Sequence, residues 1–220
     1  MARTFSAAEI RLLIGGANIT GESFAAVLAR PTSAAAMTLF SLWDATTERL
    51  TFCLNSSKQP RLVIAGTGAS GGEIGVTPGT NEWNLYGYDK AAGSVPPRWH
   101  HYGLTEQVFH HANDTTNLGN PTTQAGGTMR IGTGVEGAMV GDIAAAAVWP
   151  TRPANPDLAF ELLAFRLQSW VDLNPGAGVI LDQAAVAQKV NDFTGKGANE
   201  TAITGTSVAS TSVPISYGGA

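Results

Sequence analysis

Short apolar runs, interrupted by Gly, Pro, Asn and Ser, follow one another from the N-terminus to about residue 150. In the run 50–55, Leu50, Phe52 and Leu54 alternate with Thr51, Cys53 and Asn55, which is the period of two that is typical of a half-buried strand. The pattern predicts about nine strands, namely Phe24–Arg30, Met37–Trp43, Leu50–Asn55, Arg61–Ala65, Trp83–Tyr88, Arg98–Tyr102, Gln107–His111, Thr128–Ile131 and Met139–Trp149. Because no helical period separates them, we expect an all-β, antiparallel two-sheet sandwich.

The pattern becomes helical after residue 150. Asn155 suits the N-cap and Pro156 the first helical position, while Asn174-Pro175-Gly176 stops a helix, so we predict one from Asn155 to Val171. Its broad apolar stripe consists of Phe160, Leu163, Ala164, Leu167, Trp170 and Val171. A narrower stripe, formed by Leu158, Leu162 and Phe165, lies nearly opposite. Two apolar faces indicate a helix that lies between two surfaces.

The narrow stripe needs a second surface, because the sandwich covers only the broad one. We expect a homo-oligomer or lattice contact that buries either the tail or the narrow stripe of Leu158, Leu162 and Phe165. In the alternative, the tail and the loop after Pro175 fold back over the stripe within one chain. The uncharged, β-branched segment Thr201–Val213 indicates an extended arm along a sheet edge or a neighbouring subunit. Residues 1–150 would then form the sandwich, and residues 151–220 a helix and arm packed on the same domain.

Composition excludes several classes of protein. The 220 residues are 44% hydrophobic, enough for a sizeable core, and only 14% are charged. A net charge of −4 without a long basic run argues against nucleic-acid binding. The chain contains no apolar stretch of about 18 residues and begins with no signal-peptide pattern, so we expect a soluble chain, without membrane contact, made in a cytoplasm. Cys53 is the one cysteine, which excludes an internal disulfide.

The four histidines form two adjacent pairs, His100-His101 and His110-His111. A hairpin that closes around Thr105-Glu106 would place His100 opposite His111 and His101 opposite His110. Two imidazoles with a nearby carboxylate, such as Glu106 or Asp114, would suit a transition metal. The histidines would otherwise be polar surface or part of a contact.

Aromatic residues near polar loops are the candidates for sugar stacking. Trp83, Tyr88, Trp99 and Tyr102 could form such a platform, although half-buried aromatic residues also serve as core or interface. Asp142, flanked by small apolar residues, either caps a turn or touches calcium. No set of residues with catalytic spacing is evident, so we expect no enzyme.

One segment matches the sequence pattern of a nucleotide-binding loop but lacks the helix that such a loop requires. The sequence 66–71 has the spacing Gly-x-Gly-x-x-Gly, and 68–72 has that of a nucleophile elbow. Both motifs require a helix that starts at the glycines, and the following Gly-, Thr- and Pro-containing residues 72–79 cannot form one. We therefore predict a β-hairpin loop.

Two parts of the chain resemble known families. The segment Gly141–Trp149, preceded by strands in the same order, resembles the closing strand of laminin-G-like, concanavalin-A-like jelly rolls. The ending, with Trp170, Asp182, Asp192–Asn199, Ile203–Val208 and Gly218–Ala220, resembles one that recurs in virion proteins of tailed bacteriophages.

The resemblance implies a jelly roll in a non-enzymatic virion protein, either a capsid decoration or a minor tail protein, whose partners are other virion proteins. A carbohydrate-binding tail adhesin that recognises host glycans is the alternative. No cofactor is expected. Calcium is the exception, because some members of the family bind it through carboxylates at the rim of the sandwich.

Overall fold

A computed structural model describes residues 3–5, 9–13, 19, 21–44, 46–70, 74–120, 128–165, 167–173, 175–180, 200–204 and 207–209. Its strands are β1 (Arg3–Phe5), β2 (Glu9–Leu13), β3 (Ser23–Pro31), β4 (Met37–Asp44), β5 (Thr47–Leu54), β6 (Pro60–Ile64), β7 (Thr67–Ser70), β8 (Asn84–Lys90), β9 (Arg98–Gly103), β10 (Phe109–Asn113), β11 (Thr128–Ile131), β12 (Gly141–Trp149), β13 (Ala177–Ile180), β14 (Glu200–Thr204) and β15 (Ser207–Ala209). Two helices, α1 (Pro156–Phe165) and α2 (Leu167–Asp172), lie between β12 and β13. Asp182, Asp192–Asn199, residues 210–213 and Gly218–Ala220 lie outside the described residues.

The described strands form two antiparallel sheets, which confirms the predicted jelly-roll sandwich. The first sheet has the order β10-β9-β8-β3-β12-β1-β15, with β13 also paired to β12. The second has the order β14-β2-β11-β4-β5-β6-β7. All nine predicted strands are present, within a few residues of their expected ends. None of the described helices is long and apolar enough to cross a membrane.

Large apolar side chains from both sheets meet in the space between them. The rings of Phe52 on β5 and Tyr88 on β8 lie 5.1 Å apart, and Phe40 on β4 lies 5.6 Å from Phe52. All three side chains are fully buried. This contact joins the two sheets into one hydrophobic core.

A second core lies between the helices and the outer face of the first sheet. Phe160 and Trp170 of the broad stripe are fully buried there, beside Trp149 of β12. The absence of a side chain at Gly87 allows this approach, because a Cβ atom at that position would lie 2.7 Å from the Phe160 ring. The helix begins as predicted, since the Asn155 side chain accepts a hydrogen bond of 3.2 Å from the Leu158 backbone. Helical residues are described as far as Asp172, close to the predicted end at Val171.

The expectation that strand 50–55 is half-buried is wrong. Thr51 and Cys53 are as buried as the apolar residues on the other side of β5. The loop 132–140 crosses this outer face, where the Thr133 carbonyl accepts a hydrogen bond of 2.8 Å from Ser41, and Glu136 pairs with Arg61. Alternation in sequence shows which side chains share a face of the strand. It does not show that a loop distant in the chain covers the outer face.

The sequence pattern missed the short strands at both ends. In the N-terminal part, β1 pairs with β12 and β2 with β11. In the tail, β14 extends the second sheet beside β2, and β15 extends the first beside β1. The predicted arm therefore lies along sheet edges of its own chain over the described residues 200–204 and 207–209. The Gly-rich motif is the predicted hairpin, with β6 and β7 joined at Ala65-Gly66, which have φ values of 49° and 84°.

Candidate functional site

The hairpin of β9 and β10 brings all four histidines together. Its register pairs His100 with His111 and His101 with His110, as the sequence predicts. Because side chains alternate across a strand, the first pair faces helix α1 and the second faces the other sheet. The two layers have different surroundings and are described separately.

The layer that faces the helix is a closed network of hydrogen bonds. His100 is fully buried; its Nε2 lies 2.8 Å from Asp89 Oδ2, and its Nδ1 lies 2.7 Å from His111 Nδ1. Arg152 pairs with the other oxygen of Asp89. Since an ionised Asp89 can only accept, His100 Nε2 donates to it, and His100 Nδ1 then accepts from His111 Nδ1.

The carboxylates of helix α1 complete this network. Asp157 accepts two hydrogen bonds from Arg98, of 2.8 and 2.7 Å, and Glu161 Oε1 lies 3.4 Å from His111 Nε2. The hydrogen bond from Arg98 is the main reason that the pKa of Asp157 lies below its ordinary value. Although His100, His111 and Asp157 are close enough to share an ion, each of their nitrogen and oxygen atoms already has a protein partner. This layer therefore connects β8, β9, β10 and α1.

The layer that faces the other sheet has unpaired atoms. His101 is 1% exposed, and its Nε2 lies 2.9 Å from Asn84 Oδ1. Its Nδ1 is buried without a hydrogen-bond partner among the described residues, as is Nε2 of His110. The carboxylate of Glu106 lies 3.4 Å from His110 Nε2, but it is not aligned for a hydrogen bond. One ligand atom from each of His101, His110 and Glu106 lies within 4.8 Å of the others, and no hydrogen bond is described between these residues.

A cavity of 370 Å³ opens beside this layer. His101 and Glu106 line one side of it, and Glu82, Asn84 and Thr105 contribute further polar groups. The segment 76–79 supplies the rest of the wall. Gly103 lies close to Glu106, since a Cβ atom there would lie 3.3 Å from the Glu106 Cβ atom. The arrangement can hold a small polar ligand beside the His101 imidazole and the carboxylates of Glu82 and Glu106.

The predicted sugar-stacking platform is wrong in its geometry. Tyr88 and Trp99 are fully buried, and Trp83 and Tyr102 are 9% and 8% exposed. Trp99 donates a hydrogen bond of 2.8 Å to Asp114 inside the protein, and Tyr102 stacks on Phe109. These rings form core rather than a surface on which a sugar could lie.

Asp142 is not a metal ligand beside the histidines. It is fully buried on β12, where it accepts a hydrogen bond of 2.7 Å from Arg30 and another from Thr4. Its charge is compensated by Arg30, which explains why a carboxylate can lie among small apolar residues. Both oxygens of Asp142 thus have partners within the protein, and calcium at this residue stays a prediction. Of the predicted metal residues, the structure brings together His101 and His110.

The narrow stripe of the helix is exposed, as the predicted contact requires. Leu158, Leu162 and Phe165 are 50%, 38% and 61% exposed. Phe165 makes edge contacts with Tyr102 and Phe109, so the stripe continues onto the histidine hairpin. We refer to Leu158, Leu162 and Phe165 as the apolar helix face.

Sequence reasoning missed the residues that orient the histidines. Asn84 and Asp89 lie on β8 and meet the hairpin only through the pairing of β8 with β9. Nothing in the local sequence distinguishes them from other polar strand residues. Glu106, by contrast, is identifiable from its place in the turn between the two pairs.

Comparisons with known proteins show the fold. No protein-family model matches the chain, and no curated protein matches its sequence. It is similar to a heptameric SAP-like pentraxin from Limulus polyphemus, at 12% identity and a TM-score of 0.54, over 73% of this chain and 80% of that one. It is also similar to a candidate carbohydrate-binding protein from Bacteroides ovatus, at 14% identity and a TM-score of 0.57. That match covers 99% of this chain and 61% of the other, so this chain spans less than two thirds of that protein.

A weaker similarity, with a TM-score of 0.42 and 13% identity, is to tailspike protein 2 of an Escherichia coli O157:H7 bacteriophage. It covers 63% of this chain and 21% of the tailspike. The neighbours are laminin-G-like and pentraxin-like jelly rolls, and the chain has that fold.

Proposed function

We propose that this chain is a non-enzymatic structural protein of a bacteriophage virion, either a capsid decoration or a minor tail protein. The observation that carries the proposal is the apolar helix face, in which three large side chains are 38–61% exposed. Only 14% of the residues are charged, so little electrostatic repulsion keeps such faces apart. The ending that resembles phage virion proteins supports a particle as the place of assembly.

We propose that a second copy of this chain binds the apolar helix face. The face combines leucine and phenylalanine without a charge of its own, so two copies can bury it against each other. Ring contacts of Phe165 with Tyr102 and Phe109 hold its most exposed member in place before association. Less conformational freedom is then lost on binding.

Light scattering tests this contact. In the double variant Leu162→Lys and Phe165→Lys we expect a smaller mass in solution and reduced incorporation into particles, because each lysine must be desolvated to keep the contact. Val135→Lys is the matched control, since Val135 is also a 66% exposed apolar residue but lies on the loop over the other sheet. A folded double variant that keeps the wild-type mass would show that the face is not the contact.

Carbohydrate binding is the second candidate, and the cavity beside the hairpin favours it. The cavity presents Glu82, Asn84 and Thr105, which can bond sugar hydroxyl groups. A similar fold in a candidate carbohydrate-binding protein agrees with this reading. A glycan array with the purified chain tests it: reproducible binding that is lost in Glu82→Gln would favour an adhesin, and an array without binding would leave the structural role.

A further inference from the structure

His101 Nδ1 and His110 Nε2 are buried without a hydrogen-bond partner among the described residues. A structural role in the virion does not explain this. Buried polar atoms are nearly always hydrogen-bonded, because an unpaired one costs roughly 1–3 kcal/mol. Here two such atoms occur on neighbouring strands, in a pair of rings whose centroids lie 5.8 Å apart. Their counterparts on the other face of the hairpin differ, because His100 is bonded through both ring nitrogens and His111 through Nδ1.

The surroundings of His101 place its lone pair on Nδ1. Asn84 Nδ2 donates a hydrogen bond of 2.9 Å to the Glu82 carbonyl, which turns Asn84 Oδ1 toward His101. That oxygen can only accept, so His101 Nε2 carries the proton and Nδ1 carries the lone pair. An imidazole whose second nitrogen is oriented in this way is the usual form of a metal ligand.

We propose that His101 Nδ1, His110 Nε2 and the Glu106 carboxylate bind one Zn²⁺ ion. One ligand atom from each of the three residues lies within 4.8 Å of the others. Ligands in a tetrahedral zinc site are about 3.3 Å apart, which His110 and Glu106, at 3.4 Å, already satisfy. His110 and Glu106 have side chains that are 21% and 48% exposed, so they can rotate toward the fixed His101.

The cavity determines what the bound ion can do. His101 and Glu106 form part of its wall, so the fourth coordination position faces the cavity. An ion with three protein ligands and one open position takes water or an oxygen of a bound ligand. The site therefore suits ligands with a carboxylate or paired hydroxyl groups. Asp142 and the helix-side histidines take no part, because their atoms are bonded elsewhere.

Calorimetry on the full-length, untagged chain tests the site after chelator treatment and removal of the chelator. We expect one Zn²⁺ per chain, and an affinity at least about tenfold lower in His110→Asn and in Glu106→Gln, since even outer-shell changes cost about 10–100-fold. Both positions are partly exposed, so these variants should remain folded, which circular dichroism checks. His111→Gln is the matched control on the same strand and the opposite face, and its affinity should equal that of the wild type.

Cobalt absorption provides a readout that a general loss of stability would not produce. Co²⁺ in the wild type should give the visible bands of a nitrogen- and oxygen-ligated site, and these bands should disappear in the double variant His110→Asn and Glu106→Gln. Zn²⁺ should also raise the melting temperature of the wild type but not of the double variant. Absence of stoichiometric Zn²⁺ binding, or an equal loss in His111→Gln, would overturn the proposal. Neither result depends on assembly through the apolar helix face.

Discussion

At the scale of single residues, burial controls the chemistry of the polar groups in this protein. Lys58 and Lys90 are almost completely buried, yet each ammonium group donates to backbone carbonyls, for example Lys90 to Gly93 at 2.8 Å. Desolvation lowers the pKa of both lysines. Asp142 is compensated by Arg30 in the same way. His101 Nδ1 and His110 Nε2, by contrast, have no hydrogen-bond partner among the described residues, as is also true of Tyr86 OH.

Cys53 should be chemically inert in the folded protein. Its thiol is 1% exposed, donates to the Arg61 carbonyl at 3.3 Å, and has a pKa raised to about 12, mainly by desolvation. At mildly alkaline pH we expect thiol reagents to react at least about a thousandfold more slowly than with a free cysteine, because the thiolate is the reactive form. Reaction in denaturant is the control. Rapid labelling of native protein would show that β5 opens.

The Asp157–Arg98 pair should make stability depend on acid pH. The pKa of Asp157 is lowered in the folded state, first by the hydrogen bond from Arg98, so the stabilisation is present above the unfolded pKa and is lost as pH falls through the folded pKa. At neutral pH, Asp157→Asn should lower the free energy of unfolding by up to about 1 kcal/mol, the size expected for an exposed pair. Urea unfolding at several pH values measures this. A difference between the proteins that persists in strong acid would contradict the assignment.

At the scale of elements, the helix and the hairpin are positioned by contacts with the first sheet. Helix α1 packs through Phe160 over Gly87 of β8, and Arg98 of β9 joins its N-terminal turn. His100 stacks on Phe160 with the ring centroids 5.1 Å apart. The helix thus buries one face on the sheet and presents the apolar helix face outward.

Gly87→Ala should weaken the docking of the helix. The added Cβ atom would lie 2.7 Å from the Phe160 ring and 2.9 Å from the Ala25 carbonyl, so the helix must shift. Overpacking of this kind costs about 1–3 kcal/mol in unfolding free energy. Gly119→Ala is the control, because its Cβ atom would meet nothing within 4 Å, and its change should stay within about 0.5 kcal/mol. Chemical denaturation compares the two, and equal stabilities would refute the close approach.

At the scale of the whole molecule, the two ends of the chain meet at the edges of both sheets. The N-terminal strands β1 and β2 are each covered by a tail strand, β15 and β14. An uncovered strand presents unpaired backbone groups that attract other chains. The tail therefore pairs with the outer edges of β1 and β2, while the apolar helix face remains exposed.

Removal of the tail strands should cause aggregation. In a variant truncated after residue 199, β1 and β2 lose their outer partners, so we expect lower stability and concentration-dependent light scattering. A variant that ends at Ala209 keeps both tail strands and should behave like the full chain in the same measurement. If both variants aggregated to the same extent, the loss of these two strands would not be the cause.

Much of this protein is determined by local sequence. The nine central strands, the start of the helix at Asn155, the two stripes and the pairing of the histidines across their hairpin follow from alternation, capping and turn residues, which act over a few positions. The short strands β1, β2, β14 and β15 did not, because three to five residues carry too little periodicity and depend on partners far along the chain.

Only the tertiary structure decided which polar groups are available for chemistry. The stacking platform failed because Tyr88 and Trp99 point into the core, and β5 is buried on both sides because a distant loop covers it. Both histidine pairs are alike in sequence, yet Asp89, Asp157 and Glu161 satisfy one, whereas Asn84 orients the other toward a cavity. Hydrophobic alternation is a property of neighbouring residues, but a free lone pair depends on every element that packs around it.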